Sequence, residues 1–300
     1  FSILLLASTL LQASDIYVKP GESIADAIRQ ARELRRLNDP SIEGGITIHV
    51  AAGNYRIYEP LFLRPEDSGT PSSPTIIKGE GEVIVSGGVT VTGWKRQGKL
   101  MVADVPDFCG RPLDFRQFYV NGKKAVRARD VADFEDMYRI IRVDKQKRVL
   151  WVPAAAVRKI QKAPYAEMVL HEMWCVANLR IKDIMFAGDS AAVSFHDPES
   201  RIQFEHPWPC PMVTTDGHNS AFYLTNAREL LDVPGEWYHD IRAGKLYYYP
   251  RQGELIEEAV VPAVETLLRV EGTLDRPVRN IRIEGLTFSY STWMRPSLKG

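Results

Sequence analysis

The sequence predicts a mainly β protein: a right-handed parallel β-helix (solenoid) with an N-terminal capping helix, interrupted by an inserted antiparallel β domain. Three observations predict it. Short β-branched runs at 46–50, 61–63, 75–77 and 83–85 are separated by Gly, Pro, Asn and Ser, the punctuation of strands rather than helices. Leu61/Leu63 and Val83/Val85 stand about 22 residues apart, which suits one coil of a stacked-strand solenoid whose apolar face is buried only by its neighbour. From Trp94 hairpin signals replace this rhythm, and hairpins pair antiparallel, unlike the coils of a parallel helix.

The chain of 300 residues carries 38 basic and 38 acidic side chains and is 45% hydrophobic. That composition excludes a disordered chain and argues against a nucleic-acid partner, which would select a basic surface. Phe1 to Ala13 (FSILLLASTLLQA) is apolar, uncharged and ends in small residues, the pattern of a signal-peptide core and cleavage site. Residues 1–14 are therefore expected to be a signal peptide, truncated because the basic start and initiator Met are missing, on a secreted or periplasmic protein. The run is too short for a bilayer span of roughly 20 residues, and no later stretch replaces it, so no stable membrane insertion is expected. Cys109, Cys175 and Cys210 have no CxxC spacing. A disulfide framework and a zinc site are both disfavoured, while one bridged pair stays open.

In chain order, Ser23 is a candidate N-cap for a helix whose Ile24, Ala27, Ile28, Ala31 and Leu34 share one face. Arg29, Arg32, Arg35 and Arg36 lie toward its C-terminal end, where the macrodipole favours cations. This helix is expected to cap the solenoid, and with it residues 15–93 form the first coils. Residues 64–74 (RPEDSGTPSSP) are a polar loop. In the insertion, 94–261, Asn121-Gly122 marks a two-residue hairpin turn, and further hairpins are expected around Asp144-Lys145 and Ala243-Gly244. Residues 262–300 resume the coil rhythm, so Val83, Val85, Leu268, Val270, Ile281 and Ile283 are expected in one shared core. The chain stops without a solenoid cap, and the sequence is read as an N-terminal fragment.

The segments GESIADAIRQAREL and GGITIHVAAGNYRIYEPLFLRPEDSGTPSSPTIIKG resemble the start of secreted pectin-lyase-like β-helix enzymes. DFRQFYVNGKKAVRARD, ESRIQFEHPWP, DGHNSAFYLTNARELLDVPGEWYHD, GKLYYYP and VEGTLDRPVRNIRIEGLTFSYSTWMRP are similar, more narrowly, to glycoside hydrolase family 141. That resemblance covers nearly all of the chain after the signal segment. It implies a secreted enzyme with fucosidase- or xylanase-like activity on plant cell-wall polysaccharide, a β-helix with a β-sandwich-like insertion, and catalytic carboxylates beyond residue 300. No catalytic residue is assigned here.

Glycoside hydrolysis needs two carboxyl groups flanking the scissile bond. Glu205, Asp216, Glu236 and Asp240 are the carboxylates in suggestive surroundings, but solvated turn carboxylates are far commoner than catalytic ones and that is the favoured reading of each. Trp208, His218, Trp237, Trp293 and Arg295 are the candidate substrate-binding residues. Trp faces stack on pyranose rings, His reaches hydroxyls and Arg holds carboxylates; for Trp208 and Trp237 a place in the insertion's core is the favoured reading. The spacing of Asp130, Asp133 and Asp136 is that of an exposed turn, so neither metal nor cofactor is expected. The reading is a glycoside hydrolase binding plant-type polysaccharide. A pectate-type lyase and a non-catalytic glycan-binding β-helix remain the alternatives.

Overall fold

The computed structural model describes residues 13–207 and 209–295. Most of the expected signal segment, and Trp208, lie outside the described residues. Two compact units form: one takes the chain up to Val89 together with Pro262–Trp293, and the other takes Thr90–Val261 and the chain from Met294.

In the first unit, strands Ser14–Val18, Ile46–Arg56, Thr75–Ser86 and Ile281–Ser289 lie side by side in one parallel sheet. Ile16, Ile48, Ile77 and Ile283 form a row across it. Ile46, Ile48 and Val50 are buried while Thr47 and His49 are only half so, the period-2 alternation of a sheet with one covered face. Gly79 and Gly285 allow the last two strands to approach: a Cβ on Gly79 would stand 2.2 Å from the Gly285 carbonyl oxygen. Strand Leu61–Leu63 pairs in parallel with Leu268–Val270.

The helix is Ile24–Arg36. Ser23 Oγ accepts the Asp26 N–H at 3.2 Å, and Ile24, Ala27, Ile28 and Ala31 are buried. Two of its arginines are structural. Arg32 grips the buried Asp67 carboxylate through two hydrogen bonds of 2.8 and 2.9 Å, and Arg35 reaches Thr75 Oγ1 at 2.8 Å and the Ser73 carbonyl at 2.9 Å. The helix is thereby tied to the polar loop 64–74.

The described residues do not form the expected right-handed parallel β-helix. The fold is mainly β, but most strands belong to antiparallel sheets, and among the described residues parallel pairing is limited to the strands above, one short pair in the second unit and the isolated bridge Val264–Ser291. Turn-punctuated β-branched runs mark strands and not how many coils stack: those of the first unit do pair in parallel, but as one four-stranded sheet and one two-stranded pair. The shared core is also only partial. Val83 and Val85 are buried, whereas Val270 and Ile283 are 57% and 37% exposed.

The second unit holds two main antiparallel layers. Seven strands run in the order Tyr138–Arg139, Ala221–Thr225, Glu167–His171, Val176–Ala187, Ser190–Phe195, Val149–Pro153 and Arg142–Asp144. Five run in the order Val126–Arg127, Glu236–Asp240, Lys245–Tyr248, Leu100–Asp104 and Lys95–Gln97. Leu150, Met168, Leu170, Val193, Phe222 and Leu224 from the first layer share one core with Val102, Tyr238 and Tyr247 from the second. Asn121 and Gly122 carry φ of 50° and 72°, as their two-residue turn between Tyr119–Val120 and Lys123–Lys124 requires. Cys109, Cys175 and Cys210 are free thiols. No helix among the described residues is long and apolar enough to cross a membrane.

Candidate functional site

The site begins with a carboxylate buried at the head of an apolar strand. Glu167 opens strand Glu167–His171 and is followed by the buried Met168, Val169 and Leu170. Its side chain is 4% exposed, and a carboxylate so placed needs partners. Arg116 supplies two hydrogen bonds, one of 3.2 Å to Oε1 and a shorter one to Oε2, and Arg127 adds a third to Oε2 at 3.0 Å. Register supplies the rest. Arg180 and Thr225 stand directly opposite Glu167 on its two flanking strands, and Asn226 follows Thr225. Arg127 is held on the other layer opposite Trp237, with its guanidinium 5.7 Å from the Trp237 ring centre.

Arg116, Arg127, Glu167, Arg180 and Asn226 line a cavity of about 310 Å³ with Asp114, Tyr165, His196 and Met294. Arg180 is ion-paired to Glu199 and donates to the Asp197 carbonyl at 2.9 Å. Asn226, 2% exposed, donates through Nδ2 to the Tyr165 carbonyl at 2.8 Å. Its Oδ1 has no hydrogen-bond partner, and neither has Arg127 Nε.

Burial raises the Asp114 carboxyl above its usual range, although it accepts the Phe115 N–H at 2.8 Å and the Arg127 and Arg116 charges oppose the shift. Burial, and then the Arg127 charge, push the His239 imidazole down to about 4. Its Nδ1 lies 3.9 Å from Asp114, too far for a hydrogen bond, and its ring stacks on Phe115 at 4.6 Å and 7°. Burial also lowers the Arg127 pKa, against the pull of Glu167. Chemically, the Glu167 carboxyl is fixed by two guanidinium groups that engage both of its oxygens. The cavity as a whole offers planar donors and several acceptors, the equipment for hydroxyl-bearing ligands.

A family model described as the GH141 insertion domain matches residues 98–251. A solved structure titled "Glycoside hydrolase" is 60% identical over 94% of this chain, with a TM-score of 0.89. The chain belongs to glycoside hydrolase family 141. It spans about half (51%) of that solved chain. No curated protein matches the sequence.

The cavity of this GH141 chain thus falls largely within the matched insertion domain. The residues singled out from sequence are distributed elsewhere. Trp237 is completely buried, 5.5 Å from Phe115 and 6.1 Å from Phe118 between ring centres, so it presents no face to a sugar and acts as a core plug. His218 is exposed in a turn where its N–H contacts Asp216 Oδ1 at 3.4 Å. Trp293 is 41% exposed and Arg295 is exposed; Met294 between them lines the cavity. Trp208 lies outside the described residues.

The four carboxylates have structural partners. Glu205 pairs with Arg148 and Arg201. Asp216 is held below the usual range, first by the Thr214 hydroxyl and then by the His218 N–H. Glu236 is buried, accepts the N–H groups of Val233 and Asp232 at 3.1 and 3.2 Å, and is pushed up by burial. Asp240 accepts the Ala243 N–H at 3.0 Å and closes its hairpin. Sequence reasoning missed Asp114, Arg116, Arg127, Glu167, Arg180 and Asn226. The available signal was Glu167 heading an apolar strand, a charge that must be paired if that strand is covered.

Proposed function

We propose that this GH141 chain is part of an exported hydrolase that cleaves glycosidic bonds in plant-type cell-wall polysaccharide, with fucosidase- or xylanase-like specificity. The observation that carries the reading is the 60% identity to a solved glycoside hydrolase over 94% of the chain. The apolar segment at the start of the sequence supports export. The chemistry is two-carboxylate acid/base catalysis through an oxocarbenium-like transition state, which requires both carboxyl groups held rigidly about the scissile bond. Glu205, Asp216, Glu236 and Asp240 do not take those roles in this reading, because their hydrogen bonds and ion pairs hold loops and hairpins together.

The test is incubation of the whole hydrolase, of which this chain is part in this reading, with fucosylated, xylan and pectic glycans. Hydrolysis releases reducing ends without unsaturated uronate absorbance. Unsaturated uronate as the main product would replace the hydrolase with a lyase. Saturable glycan binding with neither product would make the protein a binding module.

A further inference from the structure

We propose that the insertion-domain cavity bounded by Glu167, Arg127, Arg180, Asn226 and Asp114 is a binding site for one uncharged sugar residue of a glycan. The ligand class rests on the glycan-hydrolase reading above; the preference for an uncharged residue rests on this cavity alone. At about 310 Å³ the cavity lies at the small end of the range for small-molecule sites, on the scale of a single ring with its hydroxyls.

Two buried polar atoms of lining residues are unmatched. Asn226 Oδ1 needs a donor and Arg127 Nε needs an acceptor. A sugar hydroxyl is both donor and acceptor, so neighbouring hydroxyls satisfy the two together. A carboxylate or phosphate group only accepts when ionised, and would leave Asn226 Oδ1 unpaired.

Charge leads to the same choice. Arg116 and Arg127 are matched to Glu167, and Arg180 to Glu199. Asp114 is a third carboxylate, so with it ionised three guanidinium groups stand against three carboxylates and an added anion would meet no excess of positive charge. Tyr165 and His196 also line the cavity.

The experiment measures binding of L-fucose, D-xylose, D-galactose and D-galacturonate to the protein by calorimetry and saturation-transfer NMR. At least one neutral sugar should bind at least about tenfold more tightly than galacturonate. Asn226→Gly suits the positive φ of 60° at that position and removes Oδ1; it should weaken neutral-sugar binding by about tenfold. Asp114→Asn, at a side chain 46% exposed, removes the uncommitted acid and should narrow the preference against galacturonate. Unchanged melting temperatures would show that either variant has kept its fold. If Asn226→Gly does not fold, Asp114→Asn carries the test alone. Galacturonate binding as tightly as the neutral sugars, no binding of any neutral sugar, or neutral-sugar binding indifferent to both substitutions would overturn the assignment. Sugar binding at the cavity without glycan cleavage would sink the hydrolase reading and leave the site. Cleavage without binding there would do the reverse.

Discussion

Replacing His239 with Phe should flatten the acid limb of the protein's stability curve. The imidazole is 2% exposed and stacked on Phe115, and its pKa falls from 6.5 to about 4, first through burial and then through the Arg127 charge. The unfolded chain takes up this proton near its ordinary pKa, while the folded chain refuses it until about 4. Between those values the unfolded state binds more protons, so stability falls as pH falls. The contribution is fully present above the unfolded pKa and has been lost below the folded one. A gap of about 2.5 pKa units at 1.36 kcal/mol each corresponds to ~3 kcal/mol. Phe keeps the flat ring against Phe115 and cannot be protonated. Asp114, 3.9 Å away, titrates with the opposite sign but is present in both proteins and largely cancels in the difference. Urea unfolding at intervals from about pH 7 to about pH 4 gives the two curves. The native protein should lose ~3 kcal/mol more than His239→Phe over that window. Parallel curves would refute the assignment of a buried neutral imidazole.

Three further substitutions test the packing. Glu167→Gln leaves Arg116 and Arg127 facing an uncharged amide in a buried setting and should cost about 3–5 kcal/mol in urea unfolding, with m unchanged. Gly79→Ala drives a Cβ against the Gly285 carbonyl oxygen and should lower stability by about 1–3 kcal/mol; hydrogen exchange should rise in strand Ile281–Ser289 and not in Glu167–His171. Asp67→Ala removes the acceptor of Arg32 and of the Arg64 N–H (2.7 Å), and should cost about 2 kcal/mol and loosen the loop 64–74.

The sequence by itself determined the features that depend on neighbours along the chain. The capped helix at Ser23, the Asn121-Gly122 hairpin and the strand of Phe222, set between Tyr138 on one side and Leu170 on the other, follow different rules: the first two are local, because a side-chain cap and a positive-φ turn are chemistry within a few residues. The third is a pairing between distant segments, and only the tertiary structure decided it. The quoted motifs also carried the family, since their order along the chain is itself sequence information.

The extent of the stacking was not legible: the runs read as coils do pair in parallel, but as one four-stranded sheet and one two-stranded pair, while most strands belong to antiparallel sheets. Nor was the cavity. Asp114, Arg127, Glu167, Arg180 and Asn226 are scattered along the second unit and meet because sheet register sets Arg180 and Thr225 against Glu167. The same assembly decided that Trp237 is core and that two of the helix arginines hold a loop. A side chain's chemistry is written in the sequence, but its burial and partners depend on what long-range pairing places beside it.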